Sequence, residues 1–503
     1  MVMIKSVKAF VGSHPKTSFL FLSLVLSFLS VTFGNGISSF LYSNFRIDAF
    51  TSDPDFFYFT ASLMLKGKIP YIDFYDHKGL YVFYFHALGQ LIGGRVGLYF
   101  LELLWLVPVF YFLILTCEEF HFQRRLSVLL AIFFATVLIA QFSGGSDEEV
   151  ELPFISLALY FYVRALNRSS DNDFMIGNIL WGVSAGICLN LRPSDCMFAL
   201  SAVIFYAVHM FSQRRYLIVL RDAALCVGAI FLLSIPPYVH AISQGFLNQM
   251  FEAVILSNFS YIASAAGSTW VRYLCWGLLG LGLVMFGFIM FFLKKKIPFD
   301  EWQFYLVSMI VVFPLQFAIA RFTHYWILAY PFCCLLLGRY LQFAPWFNNS
   351  RRTFRATVSA VLVALCTLCV WWPAYYFVPC HDQVDRTISS VLQEAIPESS
   401  RDGRTIGVDV ENGIYLLGDI TPDYKDYAMQ SWHSRFDETL IPRLEEYLTS
   451  GDVDYVLLPA EYDGESYRLP IRNFILDDSE TFVLYHPSCG DCPTILIFQI
   501  QIH

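Results

Sequence analysis

Residues 17–38 read TSFLFLSLVLSFLSVTFGNGIS, twenty-two consecutive positions without a charged side chain. A helix needs about 20 mostly apolar residues to cross a bilayer core, so this stretch reads as a span. Its apolar region is longer than that of a signal peptide, no small-residue cleavage site stands out, and more runs follow, so it reads as retained. Ten further runs lie near residues 97–117, 125–142, 151–166, 174–190, 196–212, 217–238, 272–293, 303–320, 324–342 and 356–378. Two are marginal: 174–190 is short and contains Asn178, and 324–342 carries His324 at its start and Arg339 near its end. Composition agrees with this pattern. Of 503 residues 56% are hydrophobic and 15% charged, against about 45–50% and about 25% in soluble domains. That excludes a disordered chain, a collagen-like chain and an ordinary soluble enzyme. A net charge of −9 argues against nucleic-acid binding.

Orientation follows from the Lys/Arg bias of short loops. Lys5, Lys8 and Lys16 precede the first span, and every second loop after it is basic: Arg124-Arg125, 164–168, Arg214-Arg215 with Arg221, Lys294-Lys295-Lys296, and Arg351-Arg352 with Arg355. These loops and the N-terminus are expected in the cytoplasm. The opposite loops hold Asp53, Asp55, Asp73, Asp76 and then Asp147, Glu148, Glu149. About eleven spans put residues 379–503 outside. That tail carries 23 acidic against 8 basic residues, a net of −15, whereas residues 1–378 carry 19 against 25. It alternates β-rich runs at 405–410, 453–458, 482–485 and 495–502 with a helical pattern at 437–448, the signature of a small α/β domain. The expected domains are therefore a membrane domain, 1–378, and an extracytoplasmic α/β domain, 379–503.

The first outward loop, 42–94, is long for a connection, and long loops are often functional. Helix-like apolar patterns run over 56–65 and 80–91. Both are too short to span and too apolar to float, so they read as helices lying in the membrane interface. Asp53 and Asp55 precede the first; Asp76, His77 and Lys78 precede the second. Such acids serve equally as helix caps or dipole partners, and Asp53-Pro54 fits a cap followed by proline at the first helical position.

The stretch Asp53-Pro54-Asp55-Phe56-Phe57-Tyr58-Phe59-Thr60-Ala61-Ser62-Leu63-Met64-Leu65-Lys66-Gly67, then Pro70-Tyr71, then Asp76-His77-Lys78-Gly79, resembles the first periplasmic loop of bacterial GT-C glycosyltransferases. These polytopic enzymes take a sugar from a polyprenyl-phosphate carrier on the outer side of the membrane; protein O-mannosyltransferases and lipid A aminoarabinose transferases are similar members. The resemblance aligns Ala61 and Met64-Leu65 with the family's loop helix. It places Asp53 on the catalytic aspartate and Lys78, beside His77, on the lysine associated with the carrier phosphate. Pro54 departs from the Asp-Glu or Asp-Ser often found there, and Lys78-Gly79-Leu80 departs from Lys-Pro-Pro or Lys-Gly-Pro. A late motif, Arg321-Phe322-Thr323-His324-Tyr325-Trp326, is similar to one that lies near the lipid phosphate in related enzymes. Arginine suits bidentate phosphate binding, but Arg, Tyr and Trp are also interface anchors.

The second outward loop, Ser143-Gly144-Gly145-Ser146-Asp147-Glu148-Glu149, pairs carboxylates that would bind an acceptor sugar or a divalent cation, or cap the next span. Arg192 would pair with Asp195 or with substrate, and the sequence does not decide between them. The resemblance implies an inverting transfer of a sugar to a glycan, lipid or protein acceptor of the cell envelope. Asp53 would be the base, with Asp55 or Asp76 as substitutes. Lys78, His77, Arg321, His324 and Tyr325 would hold the donor, with Glu148, Glu149 and Arg192 as further substrate contacts. No cofactor is required and no metal ligand set stands out, though the chemistry admits a divalent cation. Twelve cysteines lie mostly in apolar runs; Cys380, Cys489 and Cys492 in the tail point to one disulfide. Asn167-Arg168-Ser169 and Asn258-Phe259-Ser260 match a glycosylation signal without further support. The competing reading is a transporter or flippase of lipid-linked sugars, which would show matching broken halves and mid-membrane charges; here polar residues gather at outward ends.

Overall fold

The structure is a computed structural model and describes residues 15–34, 53–140, 145–258, 269–319, 327–343, 381–408, 410, 412–427, 437–459, 469–486 and 495–501. Most of it is helical. The first helices are α1 Pro15–Gly34, α2 Asp53–Leu65, α3 Leu80–Glu119, α4 Arg124–Ala140, α5 Asp147–Arg168, α6 Asp171–Leu189, α7 Cys196–Ser212 and α8 Tyr216–Gln244. A short α9 Leu247–Phe251 runs into a π-helical turn, Glu252–Leu256. Then come α10 Thr269–Leu293, α11 Phe299–Ile319 and α12 Tyr330–Phe343. These helices track the expected runs, except that the run near 356–378 lies outside the described residues.

Among the described residues three helices are long and apolar enough to cross a membrane: Leu80–Glu119, Pro193–Ser212 and Tyr216–Gln244. That count covers the described residues alone and leaves the expected eleven untested. Helix α5 opens with Asp147, Glu148, Glu149 and Glu151 and α6 with Asp171 and Asp173, while α4 has only 17 residues. Hydropathy therefore marks these helices weakly. The expected separate helix at 80–91 is present: Leu80–Glu119 is two helices that meet at non-helical backbone at Gly93 and Gly94, labelled together here as α3.

The chain forms two compact units. The first comprises Met1–Ser39, Ile92–Tyr238 and Gly267–Ala374. Its core is built from long helices, with Phe110, Tyr162, Trp181 and Tyr305 fully buried. Polar residues inside the marginal runs find partners. Asn178 accepts a hydrogen bond from the Tyr162 hydroxyl. Arg339 forms two hydrogen bonds to Glu301, at 2.6 and 2.7 Å, and donates to the Phe120 carbonyl at 2.9 Å, so its charge is paired where burial would otherwise be costly.

The second unit comprises Phe40–Leu91, Val239–Ala266 and Tyr375–His503. Its C-terminal part holds α13 His381–Ala395, α14 Glu398–Arg401, α15 Asn412–Gly418, α16 Leu440–Leu448 and α17 Leu469–Asp477. The strands are β1 Asp402–Gly403, β2 Thr405–Gly407, β3 Thr421–Pro422, β4 Tyr455–Pro459, β5 Phe482–His486 and β6 Ile495–Ile500. Four strands pair in the order β2-β4-β6-β5, with β2 and β4 parallel and the other pairs antiparallel. The β2-to-β4 crossover contains α15 and α16, as parallel pairing requires. Leu444 and Leu448 of α16 pack with Ile471 and Ile475 of α17 against Val456, Leu458 and Phe498 of the sheet. The four expected β-rich runs coincide with β2, β4, β5 and β6.

Candidate active site

Helix α2 begins with Asp53-Pro54, acid and proline both suiting a helix N-terminus. It ends at Gly67, whose φ is +91°. There the Lys68 amide donates to the Leu63 carbonyl and the Gly67 amide to Met64, each at 3.1 Å, the paired bonds of a glycine-terminated helix. The helix sits in an aromatic bed within its unit. Phe59 stacks on Tyr415 at 5.1 Å, Tyr427 meets Phe59 edge-on at 5.4 Å, and the Tyr427 and Thr60 hydroxyls are 3.2 Å apart. Burial raises the Tyr427 phenol far above its usual range. Asp55 is buried in the first turn. The Asp53 side chain lies outside the described residues.

Between α2 and α3 the chain makes a compact loop. Tyr71 is fully buried with φ +62°, a backbone state that bulky residues rarely adopt. Its hydroxyl donates to the Lys78 carbonyl at 2.7 Å. Asp76, His77 and Lys78 follow, each 3–4% exposed. The Asp76 carboxylate accepts from the His77 amide at 2.7 Å, and His77 Nδ1 lies 3.2 Å from the same oxygen. The other two lysines of the loop behave differently. Lys66 reaches Thr421 at 2.9 Å and Asp419 at 3.6 Å, and Lys68 reaches Asp423 at 2.6 Å. Their side chains remain 50% and 29% exposed. Of the three lysines only Lys78 is buried.

Two further segments support this loop. The Tyr75 amide donates to the Lys425 carbonyl at 3.0 Å. Asn258 donates from Nδ2 to the His77 carbonyl at 2.8 Å, and Tyr84 hydrogen-bonds His240 at 2.7 Å. Burial pushes the Tyr75 phenol up to about 12, with Asp76, Asp426 and Glu252 adding to the rise and a bond with Ser257 opposing it. Tyr71 rises well above the usual tyrosine range for the same first reason, burial, followed by the charge of Asp76. The sequence motif of this loop includes Tyr71 but gives it no role, and it points to neither Tyr427 nor Asn258. Asn258 signalled only a glycosylation match, and no pattern placed residue 258 beside residue 77.

The other predicted residues fall elsewhere. In the first unit Arg192 is buried and donates to Glu148 at 2.6 Å and to Asp195 at 2.7 Å, with Asp147 at 3.5 Å. The open choice between Asp195 and substrate is thus answered in part: Asp195 is a partner. Glu149 accepts from the Ser146 amide at 3.2 Å at the start of α5, which is the capping role. Arg321, His324 and Tyr325 lie outside the described residues, as do Cys380, Cys489 and Cys492. Among the described residues no group of three or more His, Cys, Asp or Glu is placed to hold a metal ion.

Comparison with known proteins adds the following. A family model described as "Putative competence-induced protein Ccs4 N-terminal domain" matches residues 5–384. No curated protein matches. Among solved structures, ArnT from Cupriavidus metallidurans bound to undecaprenyl phosphate superposes with a TM-score of 0.58 at 10% identity, covering 96% of this chain and 97% of that one. The apo state of the same enzyme gives 0.56 at 12% identity, covering 98% of each. At this identity the likeness shows a fold shared with ArnT, and a shared fold does not by itself carry a function.

Proposed function

This chain belongs to the family of the competence-induced protein Ccs4 N-terminal domain, and from that premise and the ArnT-like fold we propose that it is a polyprenyl-phosphate-dependent glycosyltransferase. The observation that carries the reading is the burial of Asp55, Asp76, His77 and Lys78 together in one unit. Buried ionisable groups are costly and concentrate at functional sites. One of the solved structures of this fold holds undecaprenyl phosphate, a lipid whose phosphate is the leaving group that such a cation would receive.

In the proposed reaction the acceptor hydroxyl attacks the anomeric carbon. The bond from that carbon to the carrier phosphate breaks, the lipid departs as polyprenyl phosphate, and the hydroxyl proton passes to a carboxylate. Attack opposite the leaving group inverts the anomeric configuration. Asp53 is the base, with Asp55 and Asp76 as substitutes. Lys78 and His77 hold the phosphate with Arg321, His324 and Tyr325, stabilising charge as it develops. Glu148, Glu149 and Arg192 are the acceptor-side candidates. The loop and the C-terminal part are placed on the outer face, with the N-terminus in the cytoplasm, by the Lys/Arg bias.

The test uses purified protein in detergent with a labelled polyprenyl-phosphate sugar. Release of polyprenyl phosphate separates an enzyme from a transporter. Asp53→Asn should keep carrier binding and lose transfer by at least the roughly 10²–10⁴-fold that a general base supplies; full activity would remove Asp53. Lys78→Ala should raise the apparent KM for the carrier; a change confined to the acceptor would remove Lys78 from the phosphate.

A further inference from the structure

The direction in which Lys78 leaves the backbone is fixed by the peptide planes on either side of its Cα. Each plane has its carbonyl held. Asn258 Nδ2 donates to the His77 carbonyl at 2.8 Å, and the Tyr71 hydroxyl donates to the Lys78 carbonyl at 2.7 Å. Peptides are rigid planes, so holding the oxygen of both leaves φ and ψ of Lys78 little freedom. The Cα–Cβ bond then points one way before any ligand arrives.

Both donors are themselves held. Asn258 Nδ2 also donates at 2.7 Å to the carbonyl of Val254, which lies inside the π-helical turn Glu252–Leu256. Such turns are rare and occur often at functional sites. Tyr71 keeps φ +62° while fully buried, a strained state that persists only where the surroundings over-determine it. Its ring packs on Phe246 at 5.9 Å, so the segment that carries Asn258 also braces Tyr71.

We propose that Asn258 and Tyr71 are positioning residues, a two-point clamp on the backbone around Lys78 that aims its ammonium at the phosphate of a lipid-linked ligand. The inference rests on the assignment of Lys78 to phosphate. It gives the 239–258 segment a task distinct from spanning the membrane. A preorganised cation binds its ligand without paying to order itself.

The experiment measures binding of undecaprenyl phosphate to the full-length protein in detergent. Lys78→Ala weakens binding. Tyr71→Phe keeps the ring and removes one donor; Asn258→Leu keeps the volume and removes the other. Each weakens binding about three- to tenfold, the scale of one hydrogen bond. In the Lys78→Ala background neither has a further effect, because the clamp acts through that side chain. Equal losses in both backgrounds would overturn the clamp in favour of a general folding role. Unchanged affinity in Tyr71→Phe and Asn258→Leu, with Lys78→Ala still weak, would overturn the clamp and leave Lys78 on the phosphate. Unchanged affinity in Lys78→Ala would overturn both.

Discussion

Arg192 is 4% exposed, and its guanidinium lies against the carboxylates of Asp147, Glu148 and Asp195. Removing it would leave those acids buried without their cation, which costs about 3–5 kcal/mol when a buried pair is broken. Arg192→Leu should therefore lower the thermal unfolding midpoint of the purified protein. Arg192→Lys should recover only part of it, since an ammonium cannot reproduce the two-sided fork. An unchanged midpoint with altered acceptor affinity would instead make Arg192 a ligand contact. Half of this arrangement was legible. Asp195 stands three residues away and invites pairing, but Glu148 is 44 residues distant, and only the packing of α5 and α6 brings such positions together. The same limit hid the Asn258–His77 contact, whose partners are 181 residues apart.

At the scale of elements, apolar periodicity located the helices well. Helix α7 matches its expected run, 196–212, and the expected strands appear where short apolar runs such as Tyr455–Pro459, buried at its first four positions, fit a strand in the core of a sheet. The expected helix at 80–91 ends at a kink before the following helix of α3, and the kink is made by two glycines with different demands. Gly94 has φ +62° and ψ −135°, a region nearly closed to side chains. Gly93 has φ 173°, extended backbone open to any residue, and a Cβ there would meet nothing within 4 Å. Gly94→Ala should cost about 1–3 kcal/mol, whereas Gly93→Ala should be tolerated. Thermal unfolding of the two variants checks this, and equal losses would mean the kink is not held by backbone conformation.

At the scale of the molecule, the second unit is assembled from three separated parts of the chain. The sequence showed an acidic tail and an apolar loop as two things, because composition reports solubility and not docking. The contacts are specific. Lys66 and Lys68 meet Thr421, Asp419 and Asp423, the Tyr75 amide meets the Lys425 carbonyl, and Phe56 and Phe59 pack on Tyr415 and Tyr427. The ion pairs are exposed and contribute about 0–1 kcal/mol each, so the aromatic packing carries the attachment; replacing one such buried ring by alanine costs about 3–5 kcal/mol. Cutting the chain at 378/379 should therefore do more than remove a separate domain. Residues 1–378 alone would present Phe56 and Phe59 to water, and the 53–78 segment should become a protease target. Co-expression of 379–503 should restore protection and carrier binding, because every contact named here can re-form between two chains. If 1–378 alone bound undecaprenyl phosphate as the intact chain does, with 53–78 still protected, the loop would hold its shape without the tail, and the buried cation of the proposed site would owe nothing to the C-terminal part.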